Sequence, residues 1–103
     1  MVEKRTREIV KKYISFLKKN NFNIEKAYLF GSYARGVVNE DSDIDLAVVF
    51  KDLQDSFDMQ VQLMKLRRNF DTRIEPHPFR DSDFNQANPL ANEILNTGVL
   101  IDW

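Results

Sequence analysis

The strongest signal for a fold lies in one stretch of the chain, LFGSYARGVVNEDSDIDL at residues 29 to 46. A short apolar run at residues 26 to 30 stops at Gly31, which is typical of a buried strand followed by a turn. Ser32 lies near the start of a short helical turn predicted for residues 32 to 36, and a polar loop is expected from there to residue 42. The stretch therefore predicts a strand that leads through a tight turn into a loop.

The same stretch continues into a second predicted strand at residues 43 to 50. Side chains alternate between the two faces of a strand, so Asp43 and Asp45 fall on one face. The opposite face carries large apolar residues, namely Ile44, Leu46, Val48 and Phe50. Two carboxylates are therefore expected to point the same way, opposite an apolar row.

The flanking segments have helical patterns. Apolar residues recur at helical spacing in residues 3 to 20, which predicts an amphipathic first helix. Residues 55 to 70 predict a helix that is buried on more than one side, because two apolar stripes overlap there: Phe57, Val61 and Met64, and Met59, Leu63 and Leu66. A last helix at residues 87 to 96 is predicted to stop near Gly98, before a short apolar tail that would suit a terminal strand.

A third strand is predicted at residues 70 to 79, where Pro76 and Pro78 restrict it to an edge or a strand end. The order of helices and strands then favours an α/β or α+β fold, with a small mixed sheet flanked by helices. A chain of 103 residues suits one compact domain, so we expect a single domain over residues 1 to 103.

The composition excludes several kinds of site. The chain has no cysteine, which excludes disulfides, zinc–thiolate sites and thiol catalysis, so a metal would need oxygen ligands or the one histidine, His77. Hard cations such as Mg²⁺ suit oxygen ligands. No run approaches the roughly 20 apolar residues that span a bilayer, and the chain does not open with a signal-peptide core. A cytoplasmic protein without a membrane partner is therefore expected.

The basic residues are unevenly distributed. The formal net charge of −1 argues against a general nucleic-acid-coating protein, although residues 1 to 20 hold seven of the fifteen basic side chains. A solvated helix face accounts for this segment, and a surface for RNA or an acidic partner is the alternative. Aromatic residues are not interleaved with these lysines, so a nucleic-acid partner is not expected.

The turn and the two aspartates together suit phosphate and metal chemistry. A glycine at position 31 lets a ligand approach the backbone, and the amides that open the helical turn, with the Ser32 hydroxyl, are donors for phosphate oxygens. Asp43 and Asp45 would repel each other unless a divalent cation supplied a counter-charge. Mg²⁺ carrying a nucleoside triphosphate meets both requirements, and two such ions would support in-line attack by an acceptor hydroxyl.

Such a site needs a third carboxylate, and the third strand offers two candidates on its polar face, Glu75 and Asp71. Glu75 is the preferred one. Arg35 is a candidate donor to phosphate oxygens, although a purely surface role explains it equally well. His77 shares the face of Glu75, but an ordinary residue at a strand end is the more common interpretation of a lone histidine between prolines.

The residues at 29 to 36 and 41 to 46, with ten residues between Ser32 and Asp43, resemble the signature of the DNA polymerase beta-like nucleotidyltransferase superfamily. The small size is similar to the minimal nucleotidyltransferase domains of that superfamily, which pair with HEPN-domain proteins in toxin–antitoxin operons. The resemblance covers most of the chain, and its specific part is residues 28 to 49. It implies the nucleotidyltransferase fold.

The resemblance also implies roles for single residues. Gly31 and Ser32 would contact the nucleotide phosphates, and Asp43 and Asp45 would bind metal. The third carboxylate would be Glu75, where glutamate replaces the usual aspartate. The substrate would be ATP, bound with Mg²⁺, and the reaction would place AMP on a tyrosine of a HEPN-type toxin. The acceptor is expected to be recognised as a partner protein or by an oligomer of the chain.

Two further functions are kept as alternatives. The chain could be a non-catalytic antitoxin that neutralises its partner by forming a complex, because some minimal domains act mainly by binding. A small nucleic-acid-binding domain that uses the basic first helix is the other alternative.

Overall fold

The computed structural model describes residues 4–35 and 42–102, apart from the side chains of Tyr33 and Arg35. The helices and strands, in chain order, are α1 (Lys4–Lys19), β1 (Ile24–Phe30), α2 (Ser32–Arg35), β2 (Ile44–Phe50), α3 (Ser56–Leu66), β3 (Ile74–Arg80), α4 (Pro89–Thr97) and β4 (Val99–Leu100). Short 3-10 turns follow α3 and β3, at Arg67–Asn69 and Asp81–Asp83. Within the described ranges, no helix has the length and apolar character needed to cross a membrane.

The four strands form one mixed sheet in the order β3-β2-β1-β4. Strand β1 is antiparallel to both β2 and β4, whereas β2 and β3 are parallel. A parallel pair needs a crossover connection, and α3 supplies it. Strand β3 lies at the edge of the sheet, as Pro76 and Pro78 predict. The predicted small mixed sheet flanked by helices is therefore confirmed.

The alternation in β2 divides the core between the two faces of the sheet. Its even-numbered residues pack with the buried side of α1, in a cluster that includes Val10, Ile14, Leu17, Ile44, Leu46, Val48 and Phe50. On the opposite face, Ala47 and Val49 pack with Ala91 and Ile94 of α4. Apolar side chains thus cover both faces of β2. Asp45 lies near the start of the strand, on the same face as Ala47 and Val49.

A buried hydrogen bond joins the first and third helices. The hydroxyl of Tyr13 donates to the carbonyl oxygen of Leu63 at 2.7 Å, and both residues are fully buried. Burial raises the pKa of the Tyr13 phenol well above its ordinary value, against a smaller lowering by Arg67. The bond satisfies a polar group that would otherwise be costly inside the core.

The prediction that the third helix is buried on more than one side is wrong. Leu63 is buried and Met59 and Leu66 pack partly against the core, but Phe57 is 77% exposed and Val61 is 36% exposed. The helix lies against one face of the sheet, so only one of its two apolar stripes is covered. The sequence contains both stripes and offers no means of telling which one is covered.

The ends of two helices follow local rules. The side chain of Asp55 accepts a hydrogen bond from the backbone N–H of Asp58 at the start of α3. At the start of α4, Asn88 accepts from two backbone amides, and Pro89 occupies the first turn. Helix α4 ends at Thr97, before Gly98, which confirms the predicted stop. The terminal strand β4 is also present.

Candidate active site

Asp45 lies near the start of the strand β2, between the two strands that pair with it. Its backbone is in register with Phe30 of β1 on one side and with Glu75 of β3 on the other. Its side chain is 28% exposed, so a ligand can reach it from solvent. The neighbours of Asp45 are therefore set by the pairing of three strands that are distant in sequence.

Gly31 approaches the Asp45 carboxylate more closely than any other residue type could. Its φ angle is +71°, a left-handed conformation that favours glycine. A β-carbon at position 31 would lie 2.5 Å from Oδ2 of Asp45, well inside van der Waals contact. The turn therefore brings its backbone directly against this carboxylate, and Ser32 at the start of α2 follows immediately.

Glu75 and His77 approach Asp45 from the parallel strand β3. They are two residues apart on one strand, so they share a face. Nε2 of His77 lies 3.4 Å from Oδ1 of Asp45. The imidazole ring also meets the Phe30 ring edge-on, with 5.1 Å between the ring centroids. Asp45 thus has Gly31 next to one carboxylate oxygen and His77 next to the other.

Asp45, Glu75 and His77 form a group that suits a divalent cation. Each of the three offers one ligand atom, and these atoms all lie within 4.8 Å of one another. Two carboxylates this close repel each other when both are ionised, and a cation between them removes that repulsion. Oxygen and imidazole ligands are both used for divalent metals in proteins. The residues at this position therefore fit a divalent metal ion.

Asp43 is the first residue of the predicted pair. It comes immediately before β2 and is exposed, and it is not one of the three grouped residues in the part of the chain that the structure describes. The structure thus groups Asp45 with Glu75 and His77, and the metal-binding role of Asp43 stays a prediction. The predicted phosphate contact of Arg35 concerns a side chain that lies outside the described residues.

Asp71, the alternative third carboxylate, is engaged with Arg73. The guanidinium of Arg73 donates to both carboxylate oxygens of Asp71, at 3.1 Å and 2.7 Å, and the Arg73 backbone N–H donates at 2.8 Å. The side-chain hydrogen bonds are the main reason why the pKa of Asp71 lies below its ordinary value. Strand β3 begins only at Ile74, so Asp71 belongs to the preceding turn and not to the predicted strand. Of the two candidates, only Glu75 lies beside Asp45.

His77 is the residue that the sequence interpretation undervalues. The sequence favours an ordinary residue at a strand end, yet His77 lies in the middle of β3 and faces Asp45. The signal is present in its position two residues after Glu75. Its distance from Asp45, however, follows from the parallel pairing of β3 with β2, which the sequence does not specify.

The chain also matches the sequence pattern of a known protein family. A family model described as polymerase beta, nucleotidyltransferase matches residues 11–102. The chain belongs to this family. The matched range contains the Gly31–Ser32 turn, Asp43, Asp45 and Glu75. The resemblance that rests on residues 28 to 49 is thereby confirmed over most of the chain.

One similar protein of known name is longer than this chain. The chain is 34% identical over 87 residues to the protein adenylyltransferase MntA of Shewanella oneidensis, which corresponds to 84% of the chain and 60% of that relative. The chain therefore spans less than two thirds of the length of this relative.

Two solved structures have a similar fold. One is a provisionally assigned nucleotidyltransferase from Sulfolobus solfataricus, with a TM-score of 0.66, 23% identity, and coverage of 93% of this chain and 78% of that one. The other is a toxin–antitoxin structure with AMP-PNP, with a TM-score of 0.68, 26% identity, and coverage of 89% and 72% respectively. Both similarities extend over nearly the whole chain. The Sulfolobus solfataricus structure, at 23% identity, supports the fold alone.

Proposed function

We propose that this chain is a metal-dependent nucleotidyltransferase domain that transfers AMP from ATP to a hydroxyl group of a partner protein. The observation that carries the proposal is the close grouping of Asp45, Glu75 and His77, directly against the glycine turn at Gly31. A metal site beside a partly exposed backbone turn is what a bound nucleoside triphosphate requires.

The comparisons support the finer parts of this proposal. The Shewanella oneidensis relative is named a protein adenylyltransferase, which supports AMP transfer to a protein. The similar toxin–antitoxin structure was solved with AMP-PNP, an ATP analogue, which supports ATP as the substrate and a toxin as the partner. We propose that the acceptor is a tyrosine of a HEPN-type toxin and that the chain acts as its antitoxin, in the cytoplasm and as a single domain.

In this proposal, each residue has a defined role. Gly31 and Ser32 bind the phosphates through backbone N–H groups and the serine hydroxyl, and Arg35 adds a guanidinium donor. Asp43, Asp45 and Glu75 hold the metal. When bound, Mg²⁺, with two ions proposed, supplies charge that stabilises the departing pyrophosphate and favours ionisation of the acceptor hydroxyl. The partly exposed position of Asp45 leaves room for the triphosphate to approach from solvent.

The test is a transfer assay with a purified HEPN-type toxin, the proposed partner. The protein, ATP labelled at the α-phosphate, Mg²⁺ and the purified toxin are mixed, and the toxin is examined for label and for the added mass of AMP. Label is expected with the unchanged protein and not with Asp45→Asn. Asp52→Asn is the matched control, because Asp52 is exposed and has a φ angle of +54° that asparagine also adopts.

The outcomes separate catalysis from simple binding. If the unchanged protein leaves the toxin without label, the proposed transfer is wrong. If, in addition, Asp45→Asn neutralises the toxin to the same extent as the unchanged protein, the chain is a non-catalytic antitoxin that acts by complex formation.

A further inference from the structure

We propose that Nε2 of His77 is a direct ligand of the divalent cation at Asp45 and Glu75, and that this nitrogen makes the site prefer Mn²⁺ to Mg²⁺. This inference rests on the proposed function, because both place a divalent cation at Asp45 and Glu75. It assigns a role to a residue that the proposed transfer reaction does not otherwise use.

The distances between the three side chains suit a shared ion. When each metal–ligand distance is about 2.1 Å, two ligand atoms lie about 3.0 Å apart at right angles and about 4.2 Å apart when opposite. The separation of 3.4 Å between Nε2 of His77 and Oδ1 of Asp45 lies inside that interval. The upper limit of 4.8 Å for the whole group requires only small side-chain adjustments.

A hydrogen bond from His77 to Asp45 is the competing explanation, and the distance disfavours it. An N–H···O hydrogen bond typically spans about 2.7–3.2 Å, so 3.4 Å is long for such a bond. For two ligands of one metal ion, the same distance is ordinary. The separation between Nε2 of His77 and Oδ1 of Asp45 therefore fits two ligands of one metal ion better than it fits a hydrogen bond.

The packing around the ring keeps Nε2 directed at the group. His77 lies in the middle of β3, paired in register with Ala47 of β2, and the Phe30 ring packs against its imidazole. The His77 side chain is 29% exposed, so it is held by its neighbours and still accessible to an ion from solvent.

The chemistry of the ligand atoms determines the metal preference. Mg²⁺ is a hard cation that favours oxygen ligands and keeps several waters, whereas an imidazole nitrogen suits first-row transition ions. Mn²⁺ accepts carboxylate oxygen and also binds nitrogen. A site of two carboxylates and one imidazole should consequently bind Mn²⁺ more tightly than Mg²⁺, and that preference should become smaller when the imidazole is removed.

The experiment uses the fact that the chain has a single histidine. After removal of any purification tag, Mn²⁺ alone is bound to the full chain and pulsed electron paramagnetic resonance is recorded. The coupling of one imidazole nitrogen to Mn²⁺ is expected, and it should change to that of ¹⁵N when the protein is grown with ¹⁵N-labelled histidine. Since there is no other histidine, the signal belongs to His77 without further assignment.

Two variants accompany this measurement. His77→Gln removes the imidazole but keeps a side-chain N–H that can donate to Asp45, whereas His77→Phe removes both the imidazole and the donor. Calorimetric titration should show Mn²⁺ binding weakened by about tenfold or more in both variants, with a much smaller change for Mg²⁺. Thermal unfolding without metal establishes that each variant is folded before it is titrated.

Several results would overturn the inference. They are Mn²⁺ bound without nitrogen coupling, equal weakening of Mn²⁺ and Mg²⁺ binding, full recovery of the Mn²⁺ preference in His77→Gln, and failure of Mn²⁺ to bind. The first three leave the proposed AMP transfer intact. Conversely, nitrogen coupling in a protein that never transfers AMP would uphold the inference and refute the proposed function.

Discussion

Replacing Gly31 with alanine should disturb both the fold and the metal site through one contact. The new β-carbon would lie 2.5 Å from Oδ2 of Asp45, and an ordinary contact begins at 3.4 Å, so the two groups must separate by 0.9 Å. The left-handed backbone at position 31 adds a cost of about 1–2 kcal/mol for any residue with a β-carbon. Crowding against the carboxylate adds about 1–3 kcal/mol unless the side chain moves away.

The expected effect on function is larger than the effect on stability. A displacement of about 1 Å at a reacting centre can reduce a rate about a hundredfold. AMP transfer by Gly31→Ala is therefore expected to fall by about that factor, under conditions where the variant is still folded. Urea unfolding measures the stability change, and the transfer assay with the toxin measures the rate.

A double-mutant cycle isolates the contact from the backbone cost. In Asp45→Ala, the nearest remaining atom to the new β-carbon is the Asp45 β-carbon position at 3.5 Å, which is an ordinary contact. Gly31→Ala should then cost only the backbone penalty, so its cost should be smaller by about 1 kcal/mol or more in this background. Equal costs in the two backgrounds, within about 0.5 kcal/mol, would refute the reasoning.

Three other predictions test features outside this contact. Tyr13→Phe should lower the free energy of urea unfolding by about 0.5–1.5 kcal/mol, because the buried carbonyl of Leu63 loses the tyrosine hydroxyl and keeps the backbone N–H of Arg67 as a donor. Asp71→Asn should leave AMP transfer unchanged and reduce the loss of stability in acid. The folded-state pKa of Asp71 is lowered, so its stabilising effect is present above the unfolded-state pKa and is lost as the pH falls toward the folded value; unfolding measured over a pH series shows this. Phe57→Ser should change the unfolding free energy by no more than about 0.5 kcal/mol, since the side chain is 77% exposed; a loss of several kcal/mol would mean that Phe57 is packed.

Local patterns in the sequence are enough to predict the elements that build the site. The alternation in β2 places Ile44, Leu46, Val48 and Phe50 on one face, and Gly31 marks the end of β1, because both depend on the conformations that individual residues favour. The two prolines of β3 likewise restrict that strand to an edge, since a proline has no N–H to donate to a neighbouring strand. These properties depend on the immediate neighbours in the chain, which the sequence contains in full.

The contacts between segments that are distant in sequence could be determined only from the tertiary structure. The register of β2 with β3 sets Asp45 opposite Glu75 and brings His77 within 3.4 Å, and no local pattern specifies the register of two strands so far apart in the chain. The exposure of Phe57 follows from α3 packing through one stripe only. Periodicity indicates which side chains share a face, whereas the other layers of the fold determine which of those faces are covered and which residues meet.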